Sequence, residues 1–244
     1  MKIEEGGVIR VSGRPITFDR IIGEGPGVIF FGGYSSVRFG EKASALWNWA
    51  KKSGRSFVRF DYSGHGGTLD EFKEGTLGDW RDEALAAVEQ LTRGPQILVG
   101  SSMGGWIALM VAEEASSKTH AVITLACAAD FTINVVENRL AESQLEELSR
   151  EGVIDLGDGA IMTKRFIDES RAHLVLGAPI QIPCPVKLIH GLLDERIPWE
   201  TSLSAARLIT SGNVTVELVK GGDHRLSNSS DLSRLIARIE ELSC

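Results

Sequence analysis

An α/β fold, with a mostly parallel eight-stranded sheet, helices on both faces and a small helical cap, is the fold class this sequence predicts. Three observations carry that expectation. Short apolar runs alternate with helical patterns along the chain. Runs such as "GVIFF", "QILV" and "VKLI" lack polar alternation, which implies strands buried on both faces beneath helices. At 244 residues, with 43% hydrophobic and 24% charged residues, the composition is that of one ordinary globular core. A single domain over residues 1–244 follows, with an insertion at about 131–183.

The first two apolar runs, Val8–Val11 and Ile16–Ile22, are joined by "SGRP". That link has no room for a helix, so the pair is expected as an antiparallel hairpin at a sheet edge. The remaining strand candidates are Val28–Phe31, Phe57–Phe60, Ile97–Val99, Ala121–Ala126, Val186–Ile189 and Val214–Val219. Between them, residues 76–91 place Leu77, Trp80, Ala84, Ala87, Val88 and Leu91 on one helical face. Thr76 supplies a cap, and Gly94-Pro95 a stop. The last segment repeats the pattern with Leu232, Leu235, Ile236 and Ile239 inward, capped by Ser229 or Ser230. Between the sixth and seventh strands, Phe131–Pro183 is too long for one crossover helix. It reads as an inserted helical cap over one end of the sheet, the alternative being a plain surface excursion.

Composition excludes several classes of function. A formal net charge of −7 and the lack of a basic run with interleaved aromatics argue against a nucleic-acid partner. Cys127, Cys184 and Cys244 have no CxxC spacing and suit a reducing compartment better than a disulfide framework. They offer no metal motif, and no cofactor is expected. The start "MKIEEGGVIR" has no apolar core of a leader peptide, and the longest apolar stretch, "AVITLACAA", is too short to span a bilayer. The expectation is a cytoplasmic protein without integral membrane association, or a mitochondrial matrix protein if a presequence has been removed.

The chemistry concentrates in "ILVGSSMGGW". Gly100-Ser101-Ser102-Met103-Gly104 fits G-x-S-x-G with Ser102 at its centre, after a buried strand and before a helix. Centring on Ser101 would require glycine where Val99 and Met103 stand. Such an elbow holds its nucleophile at a strained backbone position and lifts the hydroxyl clear of the sheet. A serine hydroxyl needs a base and an orienting carboxylate, which in this arrangement follow in the order Ser, acid, His. Of the five histidines, only His224 follows every plausible acid. Asp130 and Asp194 each lie just past a strand end; Asp194, in "LIHGLLDERIP", is the choice. Asp223 is adjacent to His224 and is assigned to securing its own loop, while His190 is read as a packed residue ending its strand.

A third requirement is a pair of donors for the oxyanion. The backbone N–H of Met103, at the start of the helix, is one, and that of Tyr34, after two glycines in "FFGGYSS", is the other. Phe131 and Phe166 either line a substrate pocket or anchor the cap. The glycine-rich "FDYSGHGGT" has neither P-loop nor dinucleotide spacing and reads as a connection near the rim. Trp106 is assigned to the core.

With Ser102, Asp194 and His224 in order on an eight-strand pattern, the chain resembles the α/β-hydrolase superfamily over nearly its whole length. Within it, "RFDYSGHG", "TLGDWRDE", "GPQILVGSSMGGW" and "VKLIHGLLDERIPW" resemble the group of mitochondrial palmitoyl-protein thioesterases, also described as mycophenolic acid acyl-glucuronide esterases, and their bacterial relatives. The resemblance implies a serine esterase or thioesterase whose triad falls on Ser102, Asp194 and His224. Its substrate is a small-molecule acyl ester or thioester, or an acylated protein. C–C hydrolases, perhydrolases, aminopeptidases and non-catalytic ligand-binding members share the same framework and remain alternatives. The cap matches least.

Overall fold

The computed structural model describes residues 1–157 and 161–243, without the side chain of Asn138. Cys244 and the end of the "DLGDGA" stretch lie outside the described residues. The chain opens with β1 (Lys2–Val11) and β2 (Arg14–Ile22), which pair antiparallel. Ser12 and Gly13 both take positive φ, 50° and 85°, the tight turn that matches the twist of a two-residue hairpin. The chain continues through β3 (Glu24–Phe31), α1 (Glu41–Ser53), β4 (Arg55–Phe60), α2 (Leu69–Lys73) and α3 (Leu77–Leu91). Then follow β5 (Gln96–Ser101), α4 (Met103–Glu114) and β6 (Thr119–Leu125). After an insertion come β9 (Val186–Gly191), α8 (Glu200–Leu208), β10 (Val214–Val219) and α9 (Ser229–Leu242).

All of the expected strands form, in an eight-stranded sheet of order β1-β2-β4-β3-β5-β6-β9-β10. From β4 to β10 every pairing is parallel, and β1 and β2 form the antiparallel edge. The continuous apolar runs serve two cores. In β5, Leu98 packs with Trp80, Trp106 and Leu188 on one face, while Ile97 and Val99 pack with Trp47, Ile189 and Leu235 on the other. The α3 cap is as expected, with the Thr76 side chain accepting from the Asp79 N–H. For α9 the cap is Asn228, accepting from the Asp231 N–H at 3.0 Å, and not Ser229 or Ser230. Three consecutive residues there can cap, and the helix starts after the first of them.

The insertion between β6 and β9 contains α5 (Phe131–Asn138), α6 (Glu142–Glu151) and α7 (Lys164–Ser170). It also contains a feature the sequence reading missed, a two-stranded antiparallel hairpin of β7 (Val153–Asp155) and β8 (Ile161–Thr163). Among the bonds that tie the insertion to the sheet domain, Trp106 Nε1 donates to the His173 carbonyl at 2.9 Å, and the Tyr34 hydroxyl to the Ile161 carbonyl at 2.9 Å. Trp106 is completely buried, as expected for a core residue.

Candidate active site

Parallel strands ending at one edge gather their following loops into one place, which is where open α/β sheets hold their chemistry. Here Tyr34 follows β3, Ser102 follows β5, Asp194 follows β9 and His224 follows β10.

Ser102 sits at φ 56°, ψ −121°, a conformation few non-glycine residues adopt. Its backbone is held from three sides: its N–H donates to the Leu125 carbonyl at 2.9 Å, and its carbonyl accepts from Gly105 at 2.8 Å and Ala128 at 3.1 Å. The flanking glycines are steric necessities. A β-carbon on Gly100 would lie 2.1 Å from the Gly104 carbonyl oxygen, and one on Gly104 would lie 2.1 Å from that of Phe31. The elbow therefore packs two backbones together where no side chain fits.

The Ser102 hydroxyl lies 3.1 Å from His224 Nε2, and His224 Nδ1 lies 2.8 Å from Asp194 Oδ2. The side chain of Asp194 is fully buried, with every acceptor site engaged. Oδ1 accepts from the backbone N–H of Arg196 at 2.9 Å and of Ile197 at 2.8 Å, while Oδ2 meets two imidazoles, His224 and His190. Burial raises the carboxyl pKa, but hydrogen bonds from His190, His224 and the backbone outweigh it and hold the group well below the usual carboxylate range.

Asp130, the other candidate acid, is turned to a different task. Its two oxygens accept from the Val175 and Leu176 N–H groups, both at 2.9 Å, so it fastens the returning end of the insertion. Burial pushes its pKa up. Asp223 secures its own loop as expected, accepting from the Leu226 N–H at 2.9 Å.

Met103 opens α4, so its N–H has no intrahelical acceptor and belongs to the positive end of the helix. The Gly33-Tyr34 loop comes close: a β-carbon on Gly33 would lie 3.3 Å from Ser102 Cβ. The Tyr34 ring is packed among Phe72, Trp80, Phe131 and Phe166, with centroids 5.0–6.4 Å away. Both of its ends are thus fixed, backbone against the elbow and hydroxyl against the insertion.

Ser102 and His224 open onto a cleft of about 810 Å³, also lined by Tyr34, Lys42, Arg196 and Arg225. Lys42 donates to the Arg225 carbonyl and to Ser227 Oγ, bracing the loop that carries His224; burial lowers its pKa to about 8. A second hollow of about 420 Å³ is lined by Phe131, Val135, Leu174, Leu176, Ile197 and Pro198, and shares Arg196 with the first. Phe166 packs on the inner side of these residues. It is 1% exposed and forms the aromatic support beneath Tyr34 and Phe131.

Sequence reasoning missed the second imidazole on Asp194. It also missed the buried ion network in which Asp19 holds Arg59 and Arg38, while Arg38 also pairs with Asp61. The spacing of His190 and Asp194 by four residues is a signal only once the loop between them is known to fold back.

Comparison with known proteins agrees with this architecture. The model of the alpha/beta hydrolase family matches residues 28–238. The mouse protein named palmitoyl-protein thioesterase ABHD10, mitochondrial, is 39% identical over 232 residues, covering 93% of this chain and 78% of the relative. The solved structure of mouse alpha/beta hydrolase domain-containing protein 10 superposes with a TM-score of 0.88 at 38% identity, covering 97% of both chains. A putative hydrolase from Agrobacterium vitis S4 does so with a TM-score of 0.91 at 32% identity over the whole of both chains. The mouse relative's name places it in mitochondria, the alternative compartment of the sequence reading; the cytoplasmic expectation draws no support from it. No helix among the described residues is long and apolar enough to cross a membrane. A family match over most of the chain, on the sheet order and elbow just described, makes this protein an enzyme of the alpha/beta hydrolase family.

Proposed function

We propose that the chain is a serine hydrolase cleaving carboxylic esters or thioesters through Ser102, His224 and Asp194, with a covalent acyl-enzyme between two half-reactions. The observation that carries this reading is the unbroken line of hydrogen bonds from Ser102 Oγ through the His224 ring to Asp194 Oδ2, 3.1 Å and 2.8 Å, starting from a residue at φ 56°. His224 Nε2 takes the hydroxyl proton as Ser102 attacks the carbonyl carbon. The ionised Asp194 faces Nδ1, fixes the tautomer that leaves Nε2 free to accept, and stabilises the imidazolium as it forms. The N–H groups of Met103 and Tyr34 take the developing oxyanion. His224 returns its proton to the leaving alcohol or thiol, then activates the water that releases the acid and regenerates Ser102.

The apolar hollow beside Phe131 suits the acyl part of such a substrate, and the more polar cleft toward Lys42 and Arg225 suits its leaving group. Long-chain acyl thioesters are the favoured class, by similarity to the palmitoyl-protein thioesterase relative. The test is initial rates on paired p-nitrophenyl esters and acyl-cysteine thioesters of increasing chain length, with Ser102→Ala as blank. Preference for long thioesters supports a depalmitoylating type; preference for short oxyesters retains the triad and removes that substrate class. Rates no higher than the blank overturn the reading.

A further inference from the structure

His190, the penultimate residue of β9, has its side chain fully buried and has no place in the three-residue mechanism. Its ring is nonetheless held at both nitrogens. Nδ1 lies 2.7 Å from Ser202 Oγ on α8, a residue that is also fully buried. Nε2 lies 3.1 Å from Asp194 Oδ2 and 3.2 Å from the Ile197 carbonyl. Both neighbours of Nε2 are acceptors, so the proton resides there, and Nδ1 takes the hydroxyl of Ser202. Asp194 Oδ2 therefore meets two imidazoles, one fully buried and one facing the cleft at 20% exposure.

We propose that His190 is a positioning residue for the triad: locked by Ser202, its Nε2–H fixes the Asp194 oxygen to which His224 is hydrogen-bonded and sets how much negative charge that oxygen offers the base. The proposal rests on the serine hydrolase reading above. The backbone N–H groups of Arg196 and Ile197 fix only Oδ1, so without His190 the carboxylate retains a pivot about that oxygen. A hydrogen bond to a carboxylate also withdraws charge from it. Removing the His190 donor thus has two separable effects: His224 loses its fixed partner position, and the less-shared carboxylate stabilises the imidazolium more strongly. The first lowers turnover; the second moves the acid limb of activity to higher pH. Other charged groups around the cluster are Glu41 and Lys42 at the start of α1, Glu195 and Arg196 on the β9 loop, and Asp223 and Arg225 beside His224. None of them is altered by the test.

The experiment compares wild type, His190→Phe and His190→Gln in kcat and KM for p-nitrophenyl butyrate across pH 5–9, with Ser102→Ala as blank and thermal melting as the check on folding. Glutamine reaches the Nε2 position with an N–H; phenylalanine fills the space without one. Expected for His190→Phe is a loss in kcat of roughly 10- to 100-fold, the scale on which a partner one hydrogen bond behind the directly acting groups contributes. KM changes little, and the acid limb moves upward. His190→Gln recovers most of the rate and returns the limb toward wild type. Wild-type rates and an unmoved limb in His190→Phe overturn the proposal, as does a His190→Gln no better than His190→Phe at equal melting temperature. If His190→Phe does not fold, Ser202→Ala decides: a reduced kcat with an upward-shifted limb supports the proposal, and an unchanged profile overturns it. A wild type no faster than Ser102→Ala fails the serine hydrolase reading itself, a result distinct from all of these.

Discussion

His224 Nε2 lies 3.1 Å from the hydroxyl of Ser102, although 122 residues separate the two in the chain. The neighbouring Ser101 ends β5, is 7% exposed and has no such partner in the described hydrogen bonds. A fluorophosphonate probe, which needs an activated hydroxyl, is expected to label wild type and Ser101→Ala but not Ser102→Ala. Equal labelling of the two variants would sink the assignment of Ser102.

The two candidate acids separate cleanly by substitution. Asp194→Asn is expected to lower kcat by about 10⁴-fold, the scale on which a triad acid acts when an amide replaces it. Asp130→Asn removes one of the acceptors for Val175 and Leu176, so it is expected to keep kcat within a few-fold and lower the melting temperature. Steady-state kinetics with parallel melting curves check both.

His65 gives a pH dependence of stability. Its ring packs against Trp80, Phe72 and Tyr62 at 4.6–5.3 Å, and burial pushes its pKa down from 6.5 to about 4, partly offset by the Ser63 backbone. Between those values the unfolded chain binds a proton that the native state does not. Stability is therefore complete above pH 6.5 and falls as pH drops toward 4, by about 3 kcal/mol from this group. Urea unfolding of His65→Phe is expected to show a flatter profile across that window; an unchanged slope would refute the attribution.

Asp19 is the hub of a buried charge network. It is 1% exposed and accepts from the Gly6 N–H at 2.8 Å, Arg59 Nε at 3.0 Å and Arg38 Nε at 3.3 Å. Arg59 is 5% exposed, with its guanidinium over the Trp47 ring, so it cannot readily turn to water. Asp19→Ala leaves that cation buried without its partner and is expected to cost about 3–5 kcal/mol in chemical denaturation. A cost below about 1 kcal/mol would show the network to be hydrated.

The central strands were legible because they carry consecutive apolar residues that fill two cores at once, as Ile97, Leu98 and Val99 of β5 do. The elbow was legible because its glycines answer to a packing constraint that admits no substitute at Gly100 or Gly104. The β7–β8 hairpin was not, since strands of three residues give no period to read. Nor was the reach of β1 back to Lys2: its outer residues are mostly exposed or half-buried, and a bulge between Glu4 and Gly7 breaks its alternation. His190 escaped for another reason. Its neighbours in sequence describe a strand end, while its neighbours in space, Ser202 and Asp194, are brought to it only by the loop and helix that follow.

The order in which the site's parts appear along the chain governs when it can act. Protein synthesis produces the Tyr34 loop and the strained elbow early and the imidazole last, after β10 has closed the far side of the sheet. Until that final strand and its loop are added, Ser102 is an alcohol without a base, held in a turn that nothing activates. With Ser102 and His224 acting as proposed, a nascent polypeptide of this sequence stays hydrolytically silent until that loop is in place.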